Sequence, residues 1–514
     1  MKNTLYPWQE ECLARWFANH GRGIVQAVTG SGKTLLALTA ADRLEKSRPQ
    51  ELRIKIVVPT SALMRQWNRA LKEFLAVSPK EIGLRGGGHS SPSDRKYMIY
   101  VINSARYELA RQILSDLRSG ASVLLIADEC HHYTSGQNSL IFEFLPYIGP
   151  YEANFFSLGL SATLPTGPAL TNLTSVLGRR IYSYGMEKAA AMHTVCSYNI
   201  FHIRLSFQPS ERADYQTLSD WMKNLYSRLL QTHPYLKDMC QKERYEQLRI
   251  LAGSKNQTIS ETAALYMKLS YKRKSLVCLA SARLSCAFQL VKRLAPDEKI
   301  LIFSERIRQA EELYTLLQKQ YPGKVGRYHS QMGQLANQNA LNRFRDNDTR
   351  ILIACKALDE GVDVPDVSIG IVLSGTSMQR QRVQRLGRIV RKKEGKTRAS
   401  LYYLHVEETA EDACFLPDTG NHSIFELEYV SETDEFQNPR YDRAARKLLA
   451  EMHAAGADME QIKEAGRCLR LGSVRADWMA DERTLDSKRK AAKYLSDQNY
   501  WICMKKLAQI LRAN

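Results

Sequence analysis

The stretch Ala27-Val-Thr-Gly-Ser-Gly-Lys-Thr34 decides the fold of the N-terminal part of this chain. It follows an apolar, strand-like run, Gly23-Ile-Val-Gln26, and it precedes a helical pattern that begins at Leu35. A strand, a glycine loop and a helix in this order are the context of a P-loop. Ala27 stands where the common P-loop pattern has its first glycine. The stretch predicts an α/β domain that binds the phosphates of a nucleotide.

Each residue type in this loop suits phosphate chemistry. Gly30 and Gly32 allow backbone N–H groups to converge on phosphate oxygens without an obstructing Cβ atom. We expect Lys33 to reach the terminal phosphates of ATP and the Thr34 hydroxyl to hold Mg²⁺, while the helix N-terminus adds its own positive end. The predicted nucleotide contacts in this segment are Thr29, Gly30, Ser31, Gly32, Lys33 and Thr34.

A second apolar run, Val123-Leu-Leu-Ile-Ala127, ends in the acidic pair Asp128 and Glu129. At the carboxyl end of a strand that follows a P-loop, Asp128 can hold the Mg²⁺ shell. Glu129 can orient and activate the attacking water. We do not expect His131 and His132 to form a metal site of their own, because adjacent histidines point in different directions and no third ligand is evident.

Strand-like and helical patterns alternate over two separate parts of the chain, from Leu5 to about residue 185 and from Lys299 to about residue 405. This alternation predicts an α/β fold with mostly parallel sheets. The stretch from about 210 to 293 has the pattern of amphipathic helices, and the last hundred residues also look helical. The strand candidates are Ile54–Val58, Met98–Ile102, Val123–Ile126, Lys299–Phe303, Arg350–Ala354, Ser368–Leu373 and Leu401–His405.

The chain has 514 residues and a formal net charge of +19, and over half of this excess lies between Trp221 and Arg293. That stretch contains 14 Lys and Arg against 4 Asp and Glu, with five tyrosines among them. Basic residues interleaved with aromatic ones suit a groove that follows phosphates and stacks bases. A helical bundle with a solvated basic face has the same composition, so both interpretations stay open. The candidate nucleic-acid contacts are Lys272, Arg273 and Lys274.

Other features of the sequence bear on the cellular compartment in which the protein is expected. No run of about 18 apolar residues is present, which predicts no membrane span and no membrane partner. The N-terminus lacks an apolar signal core, so we expect a cytoplasmic protein, associated with the nucleoid if the source is prokaryotic. The ten cysteines include no C-x-x-C pair, which favours reduced, buried thiols over a zinc module or a disulfide framework.

With Asp-Glu-Cys-His at positions 128–131, the chain resembles the superfamily 2 helicases and translocases of the DExH type. Leu5-Tyr-Pro-Trp-Gln9 is similar to the N-terminal element of that family in which a glutamine reads adenine. The resemblance makes Gln9 the candidate for this role, although Tyr6 stands where arginine is usual in the family.

Two further segments of the first α/β region resemble motifs of the family. Val58-Pro-Thr60, followed by Gln66-Trp67, looks like the segment whose threonine and backbone hold a nucleic-acid strand, which implies such a role for Thr60. Ser161-Ala-Thr163 matches the triplet that couples hydrolysis to strand contacts. The resemblance therefore assigns coupling roles to Ser161, Thr163 and His131.

The second α/β region is similar to the second motor domain of the same family. Ile300-Leu-Ile-Phe-Ser304 resembles its fourth motif, which implies a strand contact at Ser304. Ala357–Pro365 resembles the fifth motif, and Gln384–Arg391 matches the sixth, Q-x-x-G-R-x-x-R. The resemblance implies roles at the nucleotide for Gly361 and Asp363, a place near the attacking water for Gln384, and arginine fingers on the γ-phosphate for Arg388 and Arg391.

The resemblance implies an α/β fold with two RecA-like parallel-sheet domains in tandem, at residues 1–195 and 296–412, and ATP between them. Residues 205–295 would form a basic, thumb-like helical insertion, and residues 413–514 a mostly helical region of unknown role. The fifth and sixth motifs look closest to the xeroderma pigmentosum group B (XPB) type of DNA helicase and to restriction-enzyme motor subunits. This implies an ATPase that moves along or unwinds duplex DNA, in repair, restriction or phage defence.

Two alternatives stay open. Some DExH enzymes act on RNA, and an ATP-gated clamp that holds nucleic acid and recruits a partner such as a nuclease would need the same catalytic residues. The C-terminal helices from His453 to Asn514 are the candidate docking region for a protein partner. Trp478, Trp501 and Ile502 are candidate anchors there, although ordinary core packing is the simpler explanation of these side chains.

Overall fold

The computed structural model describes residues 5–48, 50–192, 194–355, 367–374, 389, 398–411, 422–437, most of 443–466, and 480–512. Within these ranges the chain forms two eight-stranded sheets with helices packed against them. The strands of the first sheet lie between residues 22 and 184, and those of the second lie between residues 197 and 437. Two α/β domains in tandem are therefore present, as the sequence predicts.

The first sheet is parallel except for one short edge strand. Its strands are β1 (Arg22–Ala27), β2 (Leu52–Val58), β3 (Ile82–Gly86), β4 (His89–Ser90), β5 (Tyr97–Val101), β6 (Ser122–Asp128), β7 (Phe155–Ser161) and β8 (Arg180–Tyr184). They lie in the order β4-β3-β5-β2-β6-β7-β1-β8. Every residue of β6 and β7 is buried, as expected for central strands covered by helices on both faces. The helices are α1 (Pro7–Ala18), α2 (Lys33–Lys46), α3 (Ser61–Leu75), α4 (Ile102–Arg118), α5 (Pro168–Leu177) and α6 (Met186–Ala191).

The second sheet has a similar build. Its strands are β9 (Ser197–Leu205), β10 (Ile300–Ser304), β11 (Val325–Tyr328), β12 (Ile351–Cys355), β13 (Ile369–Val372), β14 (Arg398–Val406), β15 (His422–Val430) and β16 (Glu435–Gln437). They lie in the order β11-β12-β10-β13-β14-β9-β15-β16, and among these described strands only β15 and β16 pair antiparallel. Helices α11 (Ile307–Gln320) and α12 (Gln334–Arg345) connect its first strands.

The second sheet reaches beyond the predicted boundaries 296–412. β9 precedes the helical insertion in sequence but pairs in parallel with β14 and β15. β15 and β16 come from the region that the sequence predicts to be mostly helical. The predicted boundaries follow the motif positions, and a strand that pairs with partners about two hundred residues away leaves no local signal of its sheet.

The insertion between β9 and β10 consists of α7 (Pro209–Thr232), α8 (Gln241–Leu251), α9 (Gln257–Leu279) and α10 (Ala282–Arg293). The outer part has a small core of its own, formed by Leu229, Leu236, Leu248, Leu251 and Ala263. α10 instead buries Cys286, Leu290 and Val291 in the core of the second sheet. The predicted insertion 205–295 is therefore helical, but its last helix belongs to the second domain.

The described residues after the second sheet include the helices α13 (Arg443–Ala454), α14 (Glu482–Ala491) and α15 (Leu495–Arg512). Leu448, Leu485 and Met504 from these helices are buried in the same core as β15. Trp501 packs against this core and Ile502 is 37% exposed, whereas Trp478 lies outside the described residues.

Among the described residues, the stretch 257–293 is long and apolar enough to cross a membrane by length and composition. Half of its most apolar window is buried inside the fold. A core helix passes the same test, and α10 is a core helix of the second sheet.

Candidate active site

Three neighbouring strands of the first sheet end in the predicted motifs. β6 ends at Asp128, β7 ends at Ser161, and β1 ends at Ala27 just before the glycine loop. The three strands lie side by side in the order β6-β7-β1 and run parallel. Their carboxyl ends therefore meet at one edge of the sheet, which is where α/β proteins place their ligand sites.

The glycine loop has the backbone of a phosphate cradle. Gly30 and Gly32 have φ angles of 86° and 93°, in the left-handed region that favours glycine. A Cβ atom on Gly32 would stand 2.7 Å from Gln9 Nε2. Lys33 begins α2, and its Nζ donates to the Ala27 carbonyl at 2.9 Å. The lysine ammonium therefore lies over the loop.

Two hydroxyl groups of this loop differ in their bonding. The buried Ser31 hydroxyl donates to the Val28 carbonyl at 2.7 Å, which holds the turn together. The Thr29 hydroxyl is shielded from solvent and has no hydrogen-bond partner among the described residues. An orphaned hydroxyl beside a cradle of positive-φ glycines fits a bound phosphate. Thr34 lies in the first turn of α2, which the glycine loop precedes.

Gln9 lies directly against the loop. It is fully buried on α1, its Oε1 accepts from the Tyr6 backbone N–H at 2.8 Å, and its Nε2 donates to the Gly32 carbonyl at 3.0 Å. The structure thus brings the predicted adenine reader to the phosphate loop. Its role toward adenine stays a prediction.

The acidic pair follows β6. Asp128 is 6% exposed, and its Oδ1 accepts from the Glu129 backbone N–H at 3.0 Å. Burial raises the pKa of Asp128 above its usual range, and the neighbouring Glu129 charge adds to this, while a hydrogen bond from Trp67 and the charge of Lys33 lower it. A buried carboxylate with too little positive charge nearby fits a divalent cation.

The predicted coupling residues contact one another. His131 Nδ1 lies 2.7 Å from Ser161 Oγ, and the Ser161 hydroxyl donates to the Thr163 carbonyl at 2.5 Å. Because this hydroxyl has only one proton, His131 Nδ1 must be the protonated nitrogen in this contact. Glu129 Oε2 lies 3.5 Å from the same nitrogen. One chain of polar contacts therefore connects the acidic pair to the Ser-Ala-Thr triplet.

Two aromatic residues to which the sequence analysis assigns no role at the ATP site also support the acidic pair. Trp67 Nε1 donates to Asp128 Oδ2 at 2.8 Å. Tyr133 Oη lies 2.9 Å from the Val57 carbonyl and 2.7 Å from the Asp128 carbonyl, so it ties the ends of β2 and β6 together. No local sequence signal predicts the first contact, since its partners are 61 residues apart.

Thr60 is the N-cap of α3, and its Oγ1 accepts from the Leu63 backbone N–H at 3.3 Å. A run of three glycines with positive φ angles, Gly86–Gly88, lies beside it. A Cβ atom on Gly87 would stand 2.4 Å from Ser61 Oγ, and one on Gly86 would stand 2.8 Å from Ser104 Oγ. The glycine run therefore packs against the first turns of α3 and α4. The triple glycine was the signal that could have found this segment.

The second domain places some predicted residues differently. Ser304 is fully buried, and its Oγ lies 3.0 Å from the Arg306 carbonyl and 3.1 Å from Gln309 Oε1, two acceptors that share its single proton. The Ser304 side chain is thus engaged within the protein, and its contact with a nucleic-acid strand stays a prediction. The remaining predicted residues of this domain lie outside the described residues: Gly361, Asp363, Gln384, Arg388 and Arg391.

The basic cluster on α9 is partly engaged within the protein. The Arg273 guanidinium lies 5.7 Å from the centre of the Tyr215 ring, and Lys274 Nζ lies 3.5 Å from Glu305 Oε2. Lys272 is exposed and forms no ion pair within the part of the chain that the structure describes. Lys272 and Lys274 are both exposed, and Lys274 differs in that its charge is paired with Glu305.

Two family models match the chain. Residues 2–166 match the family described as "Type III restriction enzyme, res subunit", and residues 282–393 match "Helicase conserved C-terminal domain". The chain is a superfamily 2 helicase of the XPB and restriction-motor type. Like the other members of this class, it is a nucleic-acid-dependent ATPase.

The helicase is 27% identical to the DNA 3'-5' translocase XPB2 of Sulfurisphaera tokodaii over 76% of its own length and 80% of that protein. It is 23% identical to the general transcription and DNA repair factor IIH subunit XPB/SSL2 of Saccharomyces cerevisiae over 87% of its own length. That match spans 47% of the yeast protein, so the helicase covers about half of this larger relative.

Solved structures agree on the fold. The helicase domain of Pyrococcus furiosus Hef matches 79% of this chain with a TM-score of 0.50 at 17% identity, and 96% of that domain is covered. A fragment of a putative HsdR subunit of a type I restriction enzyme from Vibrio vulnificus YJ016 matches with a TM-score of 0.51 at 17% identity. The match covers 82% of this chain and 69% of that fragment. These likenesses confirm the predicted tandem of RecA-like domains.

Proposed function

We propose that this helicase hydrolyses Mg²⁺-bound ATP to translocate along duplex DNA. The observation that carries the proposal is the convergence of the glycine loop, the acidic pair and the Ser-Ala-Thr triplet at three adjacent strand ends. The similarity to a DNA 3'-5' translocase over three quarters of the chain supports DNA as the track.

The residues of the first domain divide the work. Lys33 and the backbone of the glycine loop bind the phosphates. Asp128, with Thr34, would hold Mg²⁺, which supplies positive charge to the phosphate oxygens when bound. Glu129 is the candidate base for the attacking water. His131 contacts both Glu129 and Ser161, so it can transmit a change in the position of Glu129 to Ser161. Arg388 and Arg391 are proposed to act from the second domain on the basis of sequence alone.

A DNA track also agrees with the charge of the molecule. The stretch of the insertion from Trp221 to Arg293 carries over half of the excess positive charge. Its exposed aromatic side chains include Trp221, Tyr235, Tyr245 and Tyr271. Phosphate contacts position a duplex without reading its sequence, which suits a motor that moves along DNA. We infer a role in repair, restriction or phage defence, with a nuclease as the class of protein partner and the C-terminal helices as its docking region.

The test is the ATPase rate without nucleic acid and with single-stranded DNA, duplex DNA, single-stranded RNA and duplex RNA, with Lys33→Ala as control. Strong, Lys33-dependent stimulation by duplex DNA supports the proposal, and preferential stimulation by RNA overturns the choice of track. Displacement of a triplex-forming strand beside displacement of a duplex strand then separates translocation from unwinding. An ATPase that no nucleic acid stimulates would indicate a switch that awaits a partner.

A further inference from the structure

Trp67 connects two functional segments of the first domain. Its side chain is 1% exposed on α3, and its indole Nε1 donates to Asp128 Oδ2 at 2.8 Å. The other carboxylate oxygen of Asp128 accepts from the Glu129 backbone N–H at 3.0 Å. Both oxygens are held, so the plane of the carboxylate is fixed before any cation binds.

Two other buried tryptophans, both on α1, show that a tryptophan can pack in this core without a hydrogen bond to a carboxylate. Trp16 is equally buried, and its indole donates to the Ser157 backbone carbonyl at 3.0 Å. Trp8 is equally buried, and its indole nitrogen has no hydrogen-bond partner among the described residues. Of these three indoles, the one on α3 bonds to the carboxylate that is expected to hold Mg²⁺.

The helix that carries Trp67 begins at the segment expected to contact the nucleic-acid strand. Thr60 caps α3, and Gly87 packs against Ser61 in its first turn. Trp67 lies six residues after Ser61, which is about 9 Å along the helix axis. A shift of α3 when a strand binds at its N-terminus would therefore reach Asp128 through a single hydrogen bond.

We propose that Trp67 is a positioning residue that orients the Asp128 carboxylate for Mg²⁺ and transmits strand binding from α3 to the ATP site. The transmission half of this inference rests on the proposed function, whereas the orientation half requires only the ATP site. The sequence offers a matched control, because Trp16→Phe removes one buried indole hydrogen bond from the same domain without touching Asp128.

The experiment measures the binding of a fluorescent ADP to the full chain across a Mg²⁺ series in wild type, Trp67→Phe and Trp16→Phe. We expect the Mg²⁺ concentration for half-maximal binding to rise about tenfold in Trp67→Phe and to stay unchanged in Trp16→Phe, as for other groups that orient a metal ligand. Equal Mg²⁺ dependence in all three proteins would overturn the inference. Melting temperatures report whether the variants are folded.

If Trp67→Phe does not fold, a benzothienylalanine at position 67 replaces the indole N–H by sulfur with almost the same shape, and the same Mg²⁺ series applies. The transmission half is read from the ratio of DNA-stimulated to basal ATPase, which should fall in the position-67 variants only. A ratio equal to that of wild type in the position-67 variants would overturn the claim that Trp67 transmits strand binding. Failure of DNA to stimulate wild type would instead refute the proposed function, and the nucleotide-binding result would still stand.

Discussion

The carboxyl edges of the two sheets are built from similar strands, yet their polar groups meet different partners. At the first edge, Lys33 donates to the glycine loop, and the Asp128 carboxylate accepts from Trp67 on α3 and from the Glu129 backbone N–H. The Thr29 hydroxyl there has no partner among the described residues. At the second edge, Arg306 follows β10 and donates to Tyr271 Oη at 2.8 Å and to Ser275 Oγ at 2.9 Å on α9.

A buried arginine also contacts the strand ends at the second edge. Arg283, on α10, is fully buried, pairs with Glu411, and donates to the carbonyls of Val277 and Leu404 at 2.8 Å each. Its polar contacts bind the insertion helices to the ends of the strands. The first edge thus leaves polar groups for a ligand, whereas Arg306 and Arg283, among the described residues of the second edge, fix the insertion to the second domain. Each prediction below tests one side of this difference.

The largest effect is expected at the first edge. Lys33→Ala removes the positive charge that lies over the glycine loop, so the ATPase rate should fall about 10²–10³-fold while the fold remains intact. Steady-state ATPase assays and melting curves measure the two quantities. Arg306→Ala is the counterpart at the second edge and should leave the basal ATPase little changed. A large loss of basal ATPase in that variant would remove the distinction between the edges.

Breaking the buried ion pair should cost stability rather than chemistry. Arg283→Ala removes the guanidinium that pairs with the buried Glu411 carboxylate, so the free energy of unfolding should fall by about 3–5 kcal/mol. Urea denaturation followed by circular dichroism measures the loss. Adding Glu411→Gln should recover part of it, because the second change removes the buried carboxylate charge. If the double variant is no more stable than Arg283→Ala, loss of the ion pair does not explain the lower stability of Arg283→Ala.

The shape of the first edge can be tested with two glycines. Gly32→Ala places a side chain in the left-handed region and beside Gln9, so we expect a loss of about 1–2 kcal/mol in stability together with weaker ATP binding. Gly88→Ala has a similar φ angle, 89°, but no atom within 4 Å of its added Cβ, and it reports the backbone cost alone. Denaturation and nucleotide titration of both variants separate the two costs. Unweakened ATP binding by Gly32→Ala would show that the cradle tolerates a methyl group.

The smallest effect is expected from the exposed lysine of the insertion. Lys272→Ala should weaken DNA binding a few-fold and reduce the slope of log affinity against log salt by about 0.9, the value for one phosphate contact. Fluorescence anisotropy across a salt series measures the slope. Lys274→Ala, which breaks the ion pair with Glu305, should change the slope less. An unchanged slope in both variants would favour a solvated basic face.

The parts of this molecule that were predictable from sequence are local ones. The glycine loop, the acidic pair and the apolar strands carry their signals within about ten residues, and the structure puts Asp128 and Ala27 at strand ends on one edge. The position of β9 and the contact of Trp67 with Asp128 depend on partners far along the chain. Periodicity reports which face of an element is buried, but not which element covers it.

The place of β9 in the second sheet also bears on how the gene can be divided. Strands β1–β8 all end by Tyr184, and β9–β16 all begin at Ser197 or later. A single break between these residues would leave each sheet with all of its strands, and the insertion would stay with the second. A chimaera joined at this break to half of a related motor would therefore exchange the ATP-binding part without dividing either sheet.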